Sequence, residues 1–226
     1  MPNSCKYEDL RSHYIKNFNA MEILPDKVER VNGVCDKILD RKEMYDNITF
    51  LTKSTIPWWF IGVIHYREAS FYKTRHLHNG DPLTSRTVHV PSGRPKNGRP
   101  PFTFEESASD ALLYKKLDRE NRWHLLSRSL WLLEGYNGYG YIKYHSDVLS
   151  PYIWGGTSLY RKGGYASDGK FSNTYVSKQI GCAPILKVLK ERGLIKFEDT
   201  PSHIRPISNP ETGEIRIEDV LANLEK

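Results

Sequence analysis

The chain has 226 residues, 38% of them hydrophobic and 27% charged, which suits one sizeable core and excludes a disordered chain. Its net charge of +6 favours polyanionic partners, but Lys and Arg are spread out, so no dedicated basic tail is present. Cys5, Cys35 and Cys182 are too few and too scattered for a disulfide framework or a zinc knuckle.

Residues 6–53 read as two or three helices. Tyr7, Leu10, Tyr14 and Phe18 recur at helical spacing, and so do Val28, Val31, Val34, Cys35 and Ile38 after the break at Leu24-Pro25. The spacing predicts a helical layer over 1–54 that covers a buried helix. That buried helix follows Pro57, which suits a first helical position, with Ser54 or Thr55 as cap. Trp58, Trp59, Phe60, Ile61, Val63 and Ile64 are apolar almost all round, the mark of a core helix. Glu68 ends the run and shares a face with Ile61, Ile64 and His65. A carboxylate in that position is partly desolvated, which favours its neutral form and makes it a proton donor near neutral pH.

Asn79-Gly80-Asp81-Pro82 is a strong turn signal, and Thr84 to Val90 alternates like a short strand. Residues 91–101 form a Pro-rich basic loop, suited either to a cleft wall that meets an anionic polymer or to a mobile surface loop. Helices are expected from Phe104 to about Lys116 and from about Trp123 to Gly135. The second ends in a Tyr- and Gly-rich turn through Tyr136, Asn137, Tyr139 and Tyr141. Residues 142–170 read as loop, rich in Tyr, Trp and Gly, like a groove wall. A last helix is expected over 173–192, with Val176 and Ile180 inside and a kink at Pro184. Residues 194–226 read as an appendage, with a hairpin between Leu194–Phe197 and Glu214–Ile217 and a short helix over Ile217–Leu224.

Glycoside hydrolysis needs a proton donor and usually a second carboxylate. Glu68 is the donor candidate. Asp81 follows across the turn and is the second candidate, although an Asp before Pro also serves as a plain turn former. Thr84 and Thr87 are candidates to position a water or substrate. His76 and His78 flank Leu77 and would share one side of a strand, yet no further ligand pattern supports a metal. A His–Asn nuclease reading of the same stretch lacks the following helix. No metal and no cofactor is expected.

Ile61 to Ser70 resembles the helix that carries the catalytic Glu in lysozyme-superfamily enzymes, and Tyr136-Asn137-Gly138-Tyr139-Gly140 is similar to the Tyr-Asn-Ala-Gly turn of their glycan cleft. Further blocks are similar to bacterial and phage lysozyme-like proteins. They are His78-Asn79-Gly80-Asp81-Pro82-Leu83-Thr84, Arg86-Thr87-Val88, Pro91 to Pro95, Phe102 to Ala108, and Ser177-Lys178-Gln179. The resemblance spans about residues 55–190. It implies a mainly α (α+β) lysozyme-like domain over 55–193, with a small β-hairpin lobe beside the cleft. It also implies cleavage of the bond between N-acetylmuramic acid and N-acetylglucosamine. Glu68 carries over as general acid, and Tyr136 and Asn137 as cleft residues. The Gly-Leu-Met-Gln segment of lytic transglycosylases is missing, so hydrolysis and anhydro-sugar formation both stay open.

The expected partner is therefore the peptidoglycan strand, with His78, Thr84, Tyr136, Asn137, Tyr139 and Tyr141 in contact with it. Nucleic acid is not an expected partner. The N-terminus lacks an apolar signal segment and no stretch is long enough to span a membrane. Synthesis in the cytoplasm and release to the wall by a partner such as a holin are the expectation for a phage or prophage lysis enzyme. The rivals are a chitinase-like enzyme on the same fold and a non-catalytic module for wall glycan or nucleic acid.

Overall fold

A computed structural model describes residues 4–167 and 169–200. The architecture is mainly α with one small two-stranded antiparallel sheet. Its centre is α4 (Trp58–Ala69), in which nine of 12 residues are buried. An apolar run without a polar face has no stable position except the interior, so the other helices pack around it. Three helices precede it: α1 (Tyr7–Ala20), which packs on a later helix, and α2 (Val28–Leu39) and α3 (Lys42–Leu51), which pack on α4. Tyr7, Leu10, Tyr14 and Phe18 are buried from α1 and Val31, Val34, Cys35 and Ile38 from α2, whereas Val28, expected on the same inward face, is exposed. The start of α4 differs from expectation. Pro57 is the N-cap rather than the first helical residue, and no side chain caps that end.

The helix α5 (Phe104–Tyr114) opens with a capping box, in which Glu106 N–H donates to Thr103 Oγ1 and Thr103 N–H to the Glu106 carboxylate. The helix α6 (Leu126–Asn137) has no local cap. Asp199 supplies one from far along the chain, accepting from Leu126 N–H at 2.6 Å and Ser127 N–H at 3.1 Å. Ile195 and Phe197 are buried in the same core, so the chain as far as Thr200 packs with the rest of the fold. The expected hairpin with Glu214–Ile217 and the helix over Ile217–Leu224 lie outside the described residues.

Residues 142–170 are more ordered than a loop. Short helices α7 (Gly140–Tyr144) and α8 (Pro151–Trp154) precede a hairpin of β1 (Gly164–Ser167) and β2 (Lys170–Ser172). Its register pairs Tyr165 with Phe171, and the Phe171 ring stacks on His145 at 3.4 Å between centroids. The expected strand at Thr84–Val90 does not form. The Asp81 carboxylate captures the N–H groups of Val88 and His89, and Val88 and Val90 stay exposed, so the segment has no partner strand. The small sheet lies later in the chain than the sequence suggests. The last helix, α9, covers only Cys182–Glu191. Val176 is exposed, and Pro184 lies in the first turn, where its missing N–H breaks no helical bond, so it causes no kink.

Candidate active site at the end of the buried helix

The end of α4 is abrupt. Ser70 and Phe71 both take left-handed φ angles, 49° and 66°, and Phe71 N–H reaches back to the His65 carbonyl. Left-handed residues with side chains are uncommon and cost energy, so the surrounding packing must hold them. The turn that follows is locked against the same helix end. Gly80 has φ 79°, and a Cβ there would lie 2.5 Å from the Glu68 carbonyl oxygen. Only glycine fits both the angle and the approach. Gly80→Ala is therefore expected to lower stability by about 2–3 kcal/mol and to displace Glu68, with activity falling alongside. A thermal melt and a turnover assay on the same preparation check this.

Glu68 is partly open to solvent, yet its carboxylate is surrounded by protein atoms. Burial raises its pKa from the ordinary carboxylate value. A hydrogen bond from Tyr152 and the charges of Arg67 and Lys115 pull the other way without cancelling the rise. The Tyr152 hydroxyl donates to Glu68 Oε1 at 2.7 Å. Tyr152 is on α8, held there by a close crossing in which Gly181 N–H donates to the Gly155 carbonyl at 2.8 Å. Arg67 lies over the Tyr152 ring and donates to the Ile180 carbonyl at 2.8 Å. Lys115 donates to the Tyr136 carbonyl at 2.8 Å and lies over its ring; burial lowers its pKa, and nearby Glu68 partly restores it. Sequence reading missed Tyr152 and Lys115. The only signal for Tyr152 was Ser-Pro at the start of a short helix, and Lys115 had none.

Because the Tyr152 hydrogen bond favours charged Glu68, Tyr152→Phe should raise the Glu68 pKa further. The basic limb of the pH–rate profile should move up by about one unit or more, since a hydrogen bond to a charged group is worth about 1.5–3 kcal/mol. A pH profile of kcat/KM measures it.

The other expected site residues are distributed differently. Asp81 is committed to its own loop. Its Oδ2 accepts from Asn79 Nδ2, Val88 N–H and His89 N–H, and its Oδ1 is 2.6 Å from His89 Nδ1. Burial pushes its pKa up, but these bonds outweigh burial and hold it below the ordinary value. Neither Glu68 nor Asp81 is among the charges that shift the other. Thr87 is buried and spends its hydroxyl on the Pro-rich loop, donating to the Pro91 carbonyl at 2.6 Å and accepting from Arg94 N–H at 2.9 Å. Thr84 is exposed. His78 Nε2 meets Asp110 at 2.8 Å, and burial lowers its pKa to about 4. Asp110 also takes a two-pronged contact from Arg94, which rests over Tyr114. The Pro-rich loop is thus tacked onto α5 and is not a free basic arm. Both His76 ring nitrogens are engaged, by Ser107 and the Ser85 carbonyl.

Tyr136 is buried beside Glu68 and donates to the Leu77 carbonyl at 2.8 Å, tying the Tyr-Asn-Gly turn to the chain after α4. Asn137 is exposed. Tyr139 donates to the Trp131 carbonyl, and Tyr141 packs on Tyr165 of the hairpin. An open groove of about 370 Å³ is lined by Lys115, Lys116, Arg119, Trp131, Tyr136 and Tyr139. It combines aromatic faces with positive charge and shares Lys115 and Tyr136 with the surroundings of Glu68. Compared with family models, curated proteins and solved structures, the chain matches none.

Proposed function

We propose that the chain is a peptidoglycan-cleaving glycosidase with a lysozyme-like fold, and that Glu68 is its general acid. The observation that carries this reading is Glu68 itself: a carboxyl at the end of an apolar helix, raised in pKa by burial and fixed by Tyr152, on a residue that is only partly buried. The resemblance of Ile61–Ser70 and of the Tyr136–Gly140 turn to lysozyme-superfamily enzymes supports it, as does the juxtaposition of Tyr136 with Glu68 through Lys115.

In this mechanism protonated Glu68 donates to the glycosidic oxygen as the bond to the muramic acid carbon breaks. The leaving sugar departs with that proton, and a cationic sugar remains. Glu68, now a carboxylate, accepts a proton from the incoming nucleophile as the new bond forms. Tyr152 and Lys115 steady the carboxylate in that half of the cycle. The nucleophile is a water or the sugar's own hydroxyl. The engagement of Asp81 in its loop favours the second, because that route needs no second carboxylate.

The basic surface suits an anionic wall, and a phage or prophage lysis enzyme released to the wall is the setting we propose. The test is incubation of the chain with purified peptidoglycan and, separately, with chitin oligomers. Soluble muropeptides from peptidoglycan are expected. Products from chitin alone would assign a chitinase-like enzyme, and tight binding without products would assign a binding module.

A further inference from the structure

A second buried carboxylate has no part in this chemistry. Glu134 on α6 is 2% exposed and lines a cavity of about 30 Å³ beside α1 and α7. Three side-chain oxygens at that cavity have no hydrogen-bond partner among the described residues: Glu134 Oε1, Tyr14 Oη and Ser150 Oγ. Each belongs to a residue no more than 3% exposed. Buried polar groups are nearly always paired, and three orphans around one space point to a ligand. Leu10, Val148 and Trp154 form apolar walls, and His13, Tyr141 and Ser146 also line the space.

We infer that this cavity is a binding site for a primary ammonium group on a short alkyl stem. An ammonium has three N–H donors and no acceptor, which matches three unpaired oxygens. The space holds a head of about the size of one water, too small for a guanidinium or a sugar. The apolar walls suit the stem. Among the described residues no Lys or Arg shifts Glu134, so a ligand would be its cation. The groups facing it are Tyr14 and His13 from α1, Tyr139 and Tyr141 from the α7 region, Cys5, Ser150, and Cys182 from α9. Burial keeps His13 and the tyrosines neutral. Burial also raises Glu134 to about 8, with the neighbouring Ser150 hydroxyl pulling the other way. An ammonium would turn that cost into an ion pair.

The experiment is thermal melting of the full chain at about pH 9, where Glu134 is charged and an alkylamine still protonated. The probe is n-propylammonium chloride, against sodium chloride at equal ionic strength and against 1-propanol. A saturable rise in Tm with the ammonium alone is expected. Glu134→Gln should weaken the apparent affinity by about tenfold or more. If that variant does not fold, Val148→Trp, which enlarges a side chain of the lining, should abolish the shift instead. Nα-acetyl-lysine amide in place of propylammonium separates sources. A larger shift assigns a peptide-borne ammonium, a smaller one a free amine, and both sustain the site. An equal shift with 1-propanol, or a shift unchanged in Glu134→Gln, would overturn it.

Discussion

Glu68→Gln is expected to lower peptidoglycan turnover by about a thousandfold or more while leaving the fold intact. Removing a general acid costs roughly 10²–10⁴ in rate, and the loss of the group that protonates the leaving oxygen belongs at the upper end. The fold should survive because glutamine keeps the shape and can still accept the Tyr152 hydrogen bond through its amide oxygen. Stability gives a second, independent signature. A group whose folded pKa is raised contributes stability that is present at low pH and lost as pH rises through the folded value. Wild type should therefore weaken with rising pH more steeply than Glu68→Gln, which keeps only the loss that other raised groups such as Glu134 cause. The variant should be nearly inactive and, at alkaline pH, at least as stable as wild type, the pattern of a residue kept for chemistry at some cost to stability. Chemical denaturation on both sides of neutrality, beside the rate assay, checks both halves. A variant that is inactive because it is unfolded would not carry the assignment.

Glu134→Gln should produce the largest change in stability without touching the reaction. Burial moves the Glu134 carboxyl from the ordinary carboxylate range to about 8. Its stabilising contribution is complete below the unfolded value and is lost between there and about pH 8. A shift of this size corresponds to about 5 kcal/mol across that window. The variant should lack this pH-dependent loss and be markedly more stable than wild type under alkaline conditions, with turnover at neutral pH close to wild type. Parallel loss of stability in both proteins would show that Glu134 is not the group that titrates.

The local chemistry around Asp81 shows how one residue type can mislead. An Asp after Asn-Gly and before Pro offers both a second carboxylate and a turn former, and nothing in the local sequence separates these. Its partners decide the matter: Val88 and His89 N–H groups and the His89 ring consume the oxygens, while Gly80 presses the turn against Glu68. Asp81 fits the role of holding the loop that seats the end of α4. Thr87 is similar, since its hydroxyl closes the Pro-rich loop rather than facing the acid.

What the sequence disclosed was whatever periodicity and solvation dictate locally. The apolar faces of α1 and α2, the buried α4 and the desolvated Glu68 follow from spacing and burial over a dozen residues. What it withheld depends on distant partners. Tyr152 reaches Glu68 across 84 positions, and Asp199 caps α6 across 73. The strand expected at Thr84–Val90 fails because side-chain bonds from Asp81 outcompete a ladder for which no neighbour exists. The hairpin at Tyr165 and Phe171 forms because aromatic rings from α7 cover it. Glycine-rich composition in that region reads as loop until those contacts are known.

The most direct measurement is mass spectrometry of soluble products from purified peptidoglycan, wild type beside Glu68→Gln. Muropeptides are expected from wild type, with anhydro-muramic ends because Asp81 is engaged elsewhere, and none from the variant. Reducing ends would keep Glu68 as the acid but return a positioned water to the mechanism. Muropeptides from Glu68→Gln at the wild-type rate, or none from wild type, would contradict the central claim that Glu68 protonates a glycosidic bond of the cell wall.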